Sequence, residues 1–274
     1  MNSYARGSSI PLRVLTKSPG FTLVAVLSLA LGIGGNAAIF TLVKAVFLRP
    51  LPVSDPSTLV SVFQTDVKNP GQFGFSYANF KDYRDGNTVF SGLLADEFVA
   101  MNLTSGSGEA EHIIAEMVSG NYFSLLGVQP KIGRTFVPEE DQVPDRNAVV
   151  VLSHHLWERR FGSNPSLVGQ NITLNGHAFT VIGVAPDGFQ GNFLFSSTEL
   201  WVPIMMRHFA NPGDTLFDMR RSLLFSVIGR LKPGVKLAAA ASDMAAIAHQ
   251  LELEYPPDNR WAHDEAHSAA RGKN

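Results

Sequence analysis

The sequence predicts an α+β protein carried on one N-terminal transmembrane helix, and three observations lead there. An uncharged apolar stretch near the start is long enough to cross a bilayer. Short strand patterns crowd the middle of the chain, and helical patterns flank them. The 45 % hydrophobic content of the 274 residues is enough for a sizeable core.

No charged residue occurs from Ser18 to Val43. Phe21–Val43 is 23 residues long, which as a helix spans roughly 35 Å against a hydrocarbon core of about 30 Å. Pro19 fits the first turn, behind Ser18 as N-cap. Residues 1–50 hold Arg6, Arg13, Lys17, Lys44 and Arg49 and no acid, leaving 17 basic against 24 acidic residues beyond. Three of those cations precede the apolar stretch, so the positive-inside rule puts the N-terminus in the cytoplasm and the bulk of the chain outside it. Two other readings compete. A cleaved signal could end near Asn36-Ala37-Ala38, although the apolar run continues through Ile39–Val43. The segment could also be the buried helix of a soluble fold.

Gly32-Ile33-Gly34-Gly35-Asn36-Ala37 matches a dinucleotide-binding fingerprint, with Asp55 about twenty residues on. The context argues against it, because Arg49-Pro50-Leu51-Pro52 stands where the second strand would have to be. The small residues suit close helix contact instead: Ala30, Gly34 and Ala38 recur every four residues on one face, as do Ser28 and Gly32.

After a proline-rich linker from Arg49 to Pro56, Thr58–Thr65 reads as a strand and Ser76–Asp85 as a helix capped by Ser76. Met101–Thr104 and Glu109–Val118 read as strands, followed by a short helix near Tyr122–Leu126 stopped by Gly127. Ala148–Leu152 is a strand, and Ser153–Phe161 a helix between Ser153 and Gly162. Ile172–Leu174 and Ala178–Val184 flank Asn175-Gly176, a hairpin signal. Leu200–Ile204 and Leu223–Arg230 are further strands. Leu237, Met244, Ile247, Leu251 and Tyr255 stripe a final helix that ends before Pro256-Pro257.

No catalytic constellation stands out, and an enzyme is not expected. The mildly acidic balance beyond the helix does not suit nucleic-acid binding. With no cysteine, a disulfide framework and a thiolate metal site are excluded. Gly229–Lys236 falls short of a P-loop, since Val235 stands where the lysine must be. His263 and His267 are one helical turn apart in a polar tail, matching no zinc motif. His154 and His155 read as capping or surface residues, and Trp157, Trp201 and Trp261 as packing. No metal or cofactor is expected.

Lys17–Pro52 resembles the first membrane helix of the MacB/FtsX-like ABC-transporter permeases. Val118–Phe136, Val149–Gly162, Val181–Gly191 and Val227–Pro256 resemble later blocks of that family, in the same order. The resemblance covers about residues 10–258. It implies an extracytoplasmic core of two mixed α/β lobes, beginning and ending in one lobe, with a strand-rich lobe inserted. The expected organisation is a cytoplasmic basic arm (1–18), a transmembrane helix (19–48), a MacB-like periplasmic core (49–260) and a polar tail (261–274). The implied partners are an ABC ATPase subunit in trans, other permease chains in a dimer, a periplasmic adaptor and the lipid bilayer of the inner membrane. The implied role is mechanical transmission of the ATPase cycle to the outer domain. The family returns to the membrane after its core with three more helices, and this sequence has no second apolar span. The resemblance therefore leads to the expectation of a truncated or interrupted permease, or a half completed by a second polypeptide. The alternative is a free-standing anchored binding or sensor domain.

Overall fold

The computed structural model describes residues 19–47, 53–66, 71–104, 109–191, 198–213, 217, 219–256 and 262–268. The chain divides into two units, Met1–Pro50 and Leu51–Asn274. The basic arm, the first half of the proline-rich linker, Trp261 and the side chain of Ala38 lie outside the described residues.

Among the described residues the first unit holds one helix, α1 (Pro19–Phe47), of 29 residues. Leu23, Val24, Val26, Leu27, Leu29, Leu31, Ile33 and Phe40 are all exposed along it. At about 100° per residue these positions cover well over half of the circumference, and Ser28, Gly32 and Gly35 fall in the remaining arc. Thr41 returns its hydroxyl to the Ala37 carbonyl at 2.7 Å, which hides the one hydroxyl of that turn. The longest unbroken run of described side chains in α1 is 26–37. Counted on described residues alone, no helix is long and apolar enough to cross a membrane.

The second unit is built on one mixed sheet of ten strands: β1 (Leu59–Asp66), β2 (Phe90–Thr104), β3 (Glu111–Val118), β4 (Ile132–Gly133), β5 (Val149–Leu152), β6 (Asn171–Leu174), β7 (His177–Val184), β8 (Leu200–Pro203), β9 (Ser226–Leu231) and β10 (Ala262–Ser268). The order across it is β10-β1-β9-β2-β3-β8-β5-β7-β4, with β6 pairing β2 and β7. Strands from the start and end of the unit gather at one side, and β5 to β8 at the other. The two halves the sequence predicts therefore share a continuous sheet. The pairings β3–β8 and β5–β7 are parallel, and the other pairings are antiparallel.

Alternation assigns each strand's side chains to one of two cores. Val60, Leu93, Met101, Ala115, Val150, Val181, Val202 and Val227 face a core shared with α2 (Tyr77–Gly86), α4 (His154–Phe161) and α6 (Leu237–Glu254). Leu94, Val118, Val151, Ile182 and Trp201 face the other, covered by α3 (Tyr122–Leu126) with Phe136 and Phe189. The predicted caps form: Ser76 accepts from the Asn79 amide, Ser153 from the Leu156 amide, and Gly127 and Gly162 end their helices in the left-handed region.

Four elements depart from the sequence expectation. The strand expected only at Met101–Thr104 runs fifteen residues from Phe90, because Asp96 and Glu97 mask its apolar rhythm. Two-residue β4 and four-residue α5 (Arg207–Ala210) are too short to carry a periodicity. Residues 262–268, expected in a polar tail, pair antiparallel with β1 at the sheet edge. A strand there puts His263 and His267 about 13 Å apart along the backbone rather than one helical turn, too far to share an ion.

Asp96 and Glu116 are fully buried carboxylates on the α3 side of the sheet. Glu116 accepts from the Tyr122 hydroxyl at 2.9 Å, the Trp201 indole at 2.8 Å and the Thr198 hydroxyl at 3.2 Å. Burial pushes its carboxyl up to about 7, against the opposing pull of those donors. Burial likewise lifts Asp141 to about 7, against the backbone amides of Gly120 and Met205.

Two outcomes follow from this packing. Asn175 (φ 48°) and Gly176 (φ 84°) form the predicted hairpin turn. The Asn175 side chain accepts from the Asn102 amide at 2.8 Å and donates to the Phe209 carbonyl at 3.2 Å. Asn175→Gly removes these bonds and should cost about 1–2 kcal/mol. Asn175→Ala adds left-handed backbone strain and should cost about 1 kcal/mol more, as read by urea unfolding; equal losses in both variants would remove the backbone from the account. The second outcome concerns pH. A carboxyl whose folded pKa is raised binds a proton that the unfolded chain has released, so stability falls as pH rises from about 4.5 to about 7 and levels off above. Melting temperature should drop across that window, and Glu116→Gln should flatten part of the drop while leaving the share of Asp141. An unchanged pH slope in Glu116→Gln would show that this carboxyl titrates normally.

Candidate functional site

Residues 53–58 lead the chain into the second unit, and they are held by a cluster that local sequence alone does not announce. Val53 packs against the α3-side core. The Ser54 amide donates to the Leu126 carbonyl at 2.9 Å, and the Thr58 hydroxyl to the Asp55 carbonyl at 2.8 Å. Asp55 itself sits in the left-handed region, φ 44°, a conformation aspartate tolerates better than most residues.

Arg230 closes the cluster. It projects from β9, and its guanidinium donates from Nε to the Leu125 carbonyl at 2.8 Å, from Nη2 to the Ser54 carbonyl at 2.7 Å and from Nη1 to the Thr58 hydroxyl at 2.7 Å. A longer bond of 3.3 Å reaches the Asp55 carbonyl. The last carbonyls of a helix have no partner within it. Here Arg230 and Ser54 supply partners for those of α3. The planar fork of arginine is what lets one side chain serve several acceptors, which a lysine could not reproduce. Gly127 completes the fit. It has φ 72°, and a Cβ there would come within 2.2 Å of Ser54 Oγ, so glycine is required both by conformation and by the close approach of the lead-in segment.

This cluster connects directly to the buried carboxylate. Tyr122, which donates to Glu116, opens α3, and Leu125 and Leu126 close it. A continuous run of contacts therefore joins the lead-in segment, α3, the centre of the sheet at Glu116, and β8 at Trp201.

The residues singled out from sequence fall elsewhere. Ala30 and Gly34 lie exposed on α1, and a Cβ on Gly34 would meet nothing within 4 Å. Ala38 shares the helix, its side chain outside the described residues. His154 is buried rather than superficial, with Nε2 at 2.7 Å from Lys131 Nζ, whereas its neighbour His155 is exposed. Among the described residues no group of three potential ligands could hold a metal. Trp157 and Trp201 are buried as expected. The sequence signal that could have found the lead-in cluster is an arginine inside the apolar strand Val227–Leu231, together with the glycine that ends α3.

Comparison with known proteins bears on these features. The model of a family described as the MacB-like periplasmic core domain matches residues 22–247. The macrolide export ATP-binding/permease protein MacB of Salmonella paratyphi A is 31 % identical over 123 residues, 44 % of this chain and 17 % of that protein. A Pseudomonas syringae pv. tomato protein named "Probable syringafactin export ATP-binding/permease protein SyfD" is 32 % identical over 135 residues, 48 % of this chain and 19 % of that one. The matched segments span less than a fifth of those relatives' lengths. Among solved structures, the periplasmic region of MacB from Actinobacillus actinomycetemcomitans superposes with a TM-score of 0.57 at 15 % identity, covering 78 % of this chain and 90 % of that one. The extracellular domain of the ABC-type transporter YknZ from Gram-positive bacteria gives 0.54 at 16 % identity, covering 76 % and 98 %. These two likenesses establish the fold, a mixed α/β domain with a strand-rich core. With a family model matched from within α1 to the last long helix, the chain belongs to the MacB-like periplasmic core domain family of ABC-transporter permeases.

Proposed function

We propose that this chain is the anchored outer part of a permease in a MacB/FtsX-like ABC exporter, and that it acts by transmitting motion rather than by catalysis. The observation that carries this reading is the family match, which starts inside the apolar helix and continues through the domain. In this reading α1 crosses the inner membrane with its N-terminus in the cytoplasm, and the second unit lies in the periplasm. The exposed apolar side chains over most of the circumference of α1 support the crossing, because such a surface is stable only in an apolar surround. The Ala30/Gly34/Ala38 face pairs it with another membrane helix. An ABC ATPase in trans drives the cycle, and the outer domain contacts an adaptor or the exported compound.

The lead-in cluster supplies the mechanical element. A moving helix can shift a domain only through segments that do not yield, and Arg230 locks residues 54–58 to α3 and β9. Removing the guanidinium while keeping an apolar stem, as in Arg230→Met, should leave the sheet folded and free the segment. Hydrogen exchange of the Ser54 and Thr58 amides should then accelerate about tenfold or more, as expected for losing bonds worth on the order of 1–3 kcal/mol. Exchange unchanged from the parent would mean that the arginine is not what holds the segment.

Topology tests the placement. A C-terminally tagged chain should fractionate with membranes and lose its tag to protease added outside intact spheroplasts. A soluble periplasmic product would make α1 a cleaved signal, and a tag protected until lysis would reverse the orientation.

A further inference from the structure

A cleft of about 410 Å³ in the second unit shares no residue with the lead-in cluster and is lined by Tyr77, Lys81, Gln142, Met205, Phe217 and Arg220, with Ala78 and Pro144. Its volume falls within the range of small-molecule sites, about 300–1,000 Å³. One wall is the start of α2, where Tyr77 and Lys81 are four residues apart and so share a face. Tyr77 and Phe217 meet edge to face, ring centroids 4.8 Å apart, and form the apolar part. Val143 and Met219, each next in sequence to a lining residue, are exposed.

The polar groups are unequal in their commitments. Arg220 is occupied: it donates to Asn79 Oδ1 at 2.8 Å and to Asp82 Oδ2 at 2.6 Å, and its guanidinium stacks 3.6 Å from the Tyr255 ring centroid. Lys81 is exposed and makes no hydrogen bond or ion pair among the described residues, and the Tyr77 hydroxyl makes no hydrogen bond there. Burial, with the Asp141 charge second, keeps that hydroxyl protonated and so a donor. Asp141 precedes Gln142 behind the opposite wall, and Oδ1 of its carboxylate has no partner among the described residues. Because burial lifts it to about 7, it only partly offsets the positive charge at neutral pH. Asp82 and Asp85 are further acids on α2; Arg220 pairs with the first and Arg84 with the second.

We infer that this cleft binds a small amphipathic carboxylate, the anion meeting the Lys81 ammonium and the Tyr77 hydroxyl while a planar apolar body packs on the Tyr77–Phe217 pair. The inference stands apart from the exporter reading, since it uses only the geometry of the second unit. It commits to a free small molecule, and the ligand's anionic group is what distinguishes it from a purely apolar guest.

The test is isothermal titration of the full-length chain in a non-ionic detergent, with detergent blanks, against 1-naphthylacetate and its uncharged analogue 1-naphthylacetamide. The acetate should saturate a single site and bind about tenfold or more tightly than the amide. Lys81→Gln, at an exposed position that the fold does not need, should reduce the acetate to the affinity of the amide. Ala78→Trp should fill the cleft and abolish saturable binding of both. No saturable binding, equal affinity for acetate and amide, or binding indifferent to either variant would overturn the inference. Circular dichroism melts of both variants would establish that the fold is intact, so a loss of binding is read as a loss of the site.

Discussion

The second unit depends on a single long strand. β2 pairs with β9 through Phe90–Asp96 and with β3 through Asp96–Leu103, and its end meets β6 at Leu103 and Thr104. It is therefore the strand on which the terminal half of the sheet and the inserted half both register. Because a strand's side chains alternate, fixing β2 fixes which residues of its neighbours face each core. Leu93, Ala95, Met101 and Leu103 point to the α2/α6 side, and Leu94 and Asp96 to the α3 side. A slip of one residue would exchange the two sets and carry charged Glu97 to the α3 side. Long strands buried on both faces tolerate little such freedom, and here the glycine at 229 adds a second check. A Cβ there would fall within 2.5 Å of the Phe90 ring, so the β2–β9 register is set by contact as well as by hydrogen bonds.

That rigidity gives the polar residues of β2 and its neighbours their meaning. Burying a carboxylate costs several kcal/mol unless donors compensate. Glu116 is met by three donors from three places: Tyr122 on α3, Trp201 on β8 and Thr198 just before it. On the other face, buried Arg207 of α5 pairs with Glu97. Each pair joins parts of the chain more than eighty residues apart or elements on different halves of the sheet, apart from the local Tyr122 bond. A hydrophobic replacement could pack as well but would not demand one arrangement of β3, α3 and β8. The polar links trade some stability for a defined relation between the halves of the sheet.

Much of this was legible in the sequence, and the failures have common causes. Caps and stops were readable because their chemistry is local: Ser76, Ser153, Gly127, Gly162 and the Asn175-Gly176 turn each act within four residues of where they sit. The order of strands and helices and the apolar helix followed from periodicity and composition. The first eleven residues of β2 did not, because Asp96 and Glu97 lie in its middle, and Glu97 finds its partner in Arg207, 110 residues on. β10 did not, because an edge strand takes its stability from backbone pairing with β1 and needs no apolar pattern. The lead-in cluster was invisible for the same reason. Ser54, Gly127 and Arg230 are separated by 73 and about a hundred residues, and each has an unremarkable local role.

The lead-in cluster and the buried carboxylate are physically one structure. α3 has five residues, too few to be stable alone. Its first residue is fixed by Glu116, and its last carbonyls by Arg230 and Ser54. Displacing residues 54–58 therefore cannot be absorbed within α3, since both of its ends are tied. It must either break the Arg230 bonds or move α3 with them and so disturb the Tyr122 bond to Glu116. The choice between these is a matter of relative cost. The Arg230 bonds are partly exposed and can be exchanged for water at small net loss, whereas freeing Tyr122 would leave a buried carboxyl short of a donor. The weaker link is thus the outer one. Displacement of residues 54–58 should therefore release the Arg230 bonds before it reaches the Tyr122–Glu116 bond.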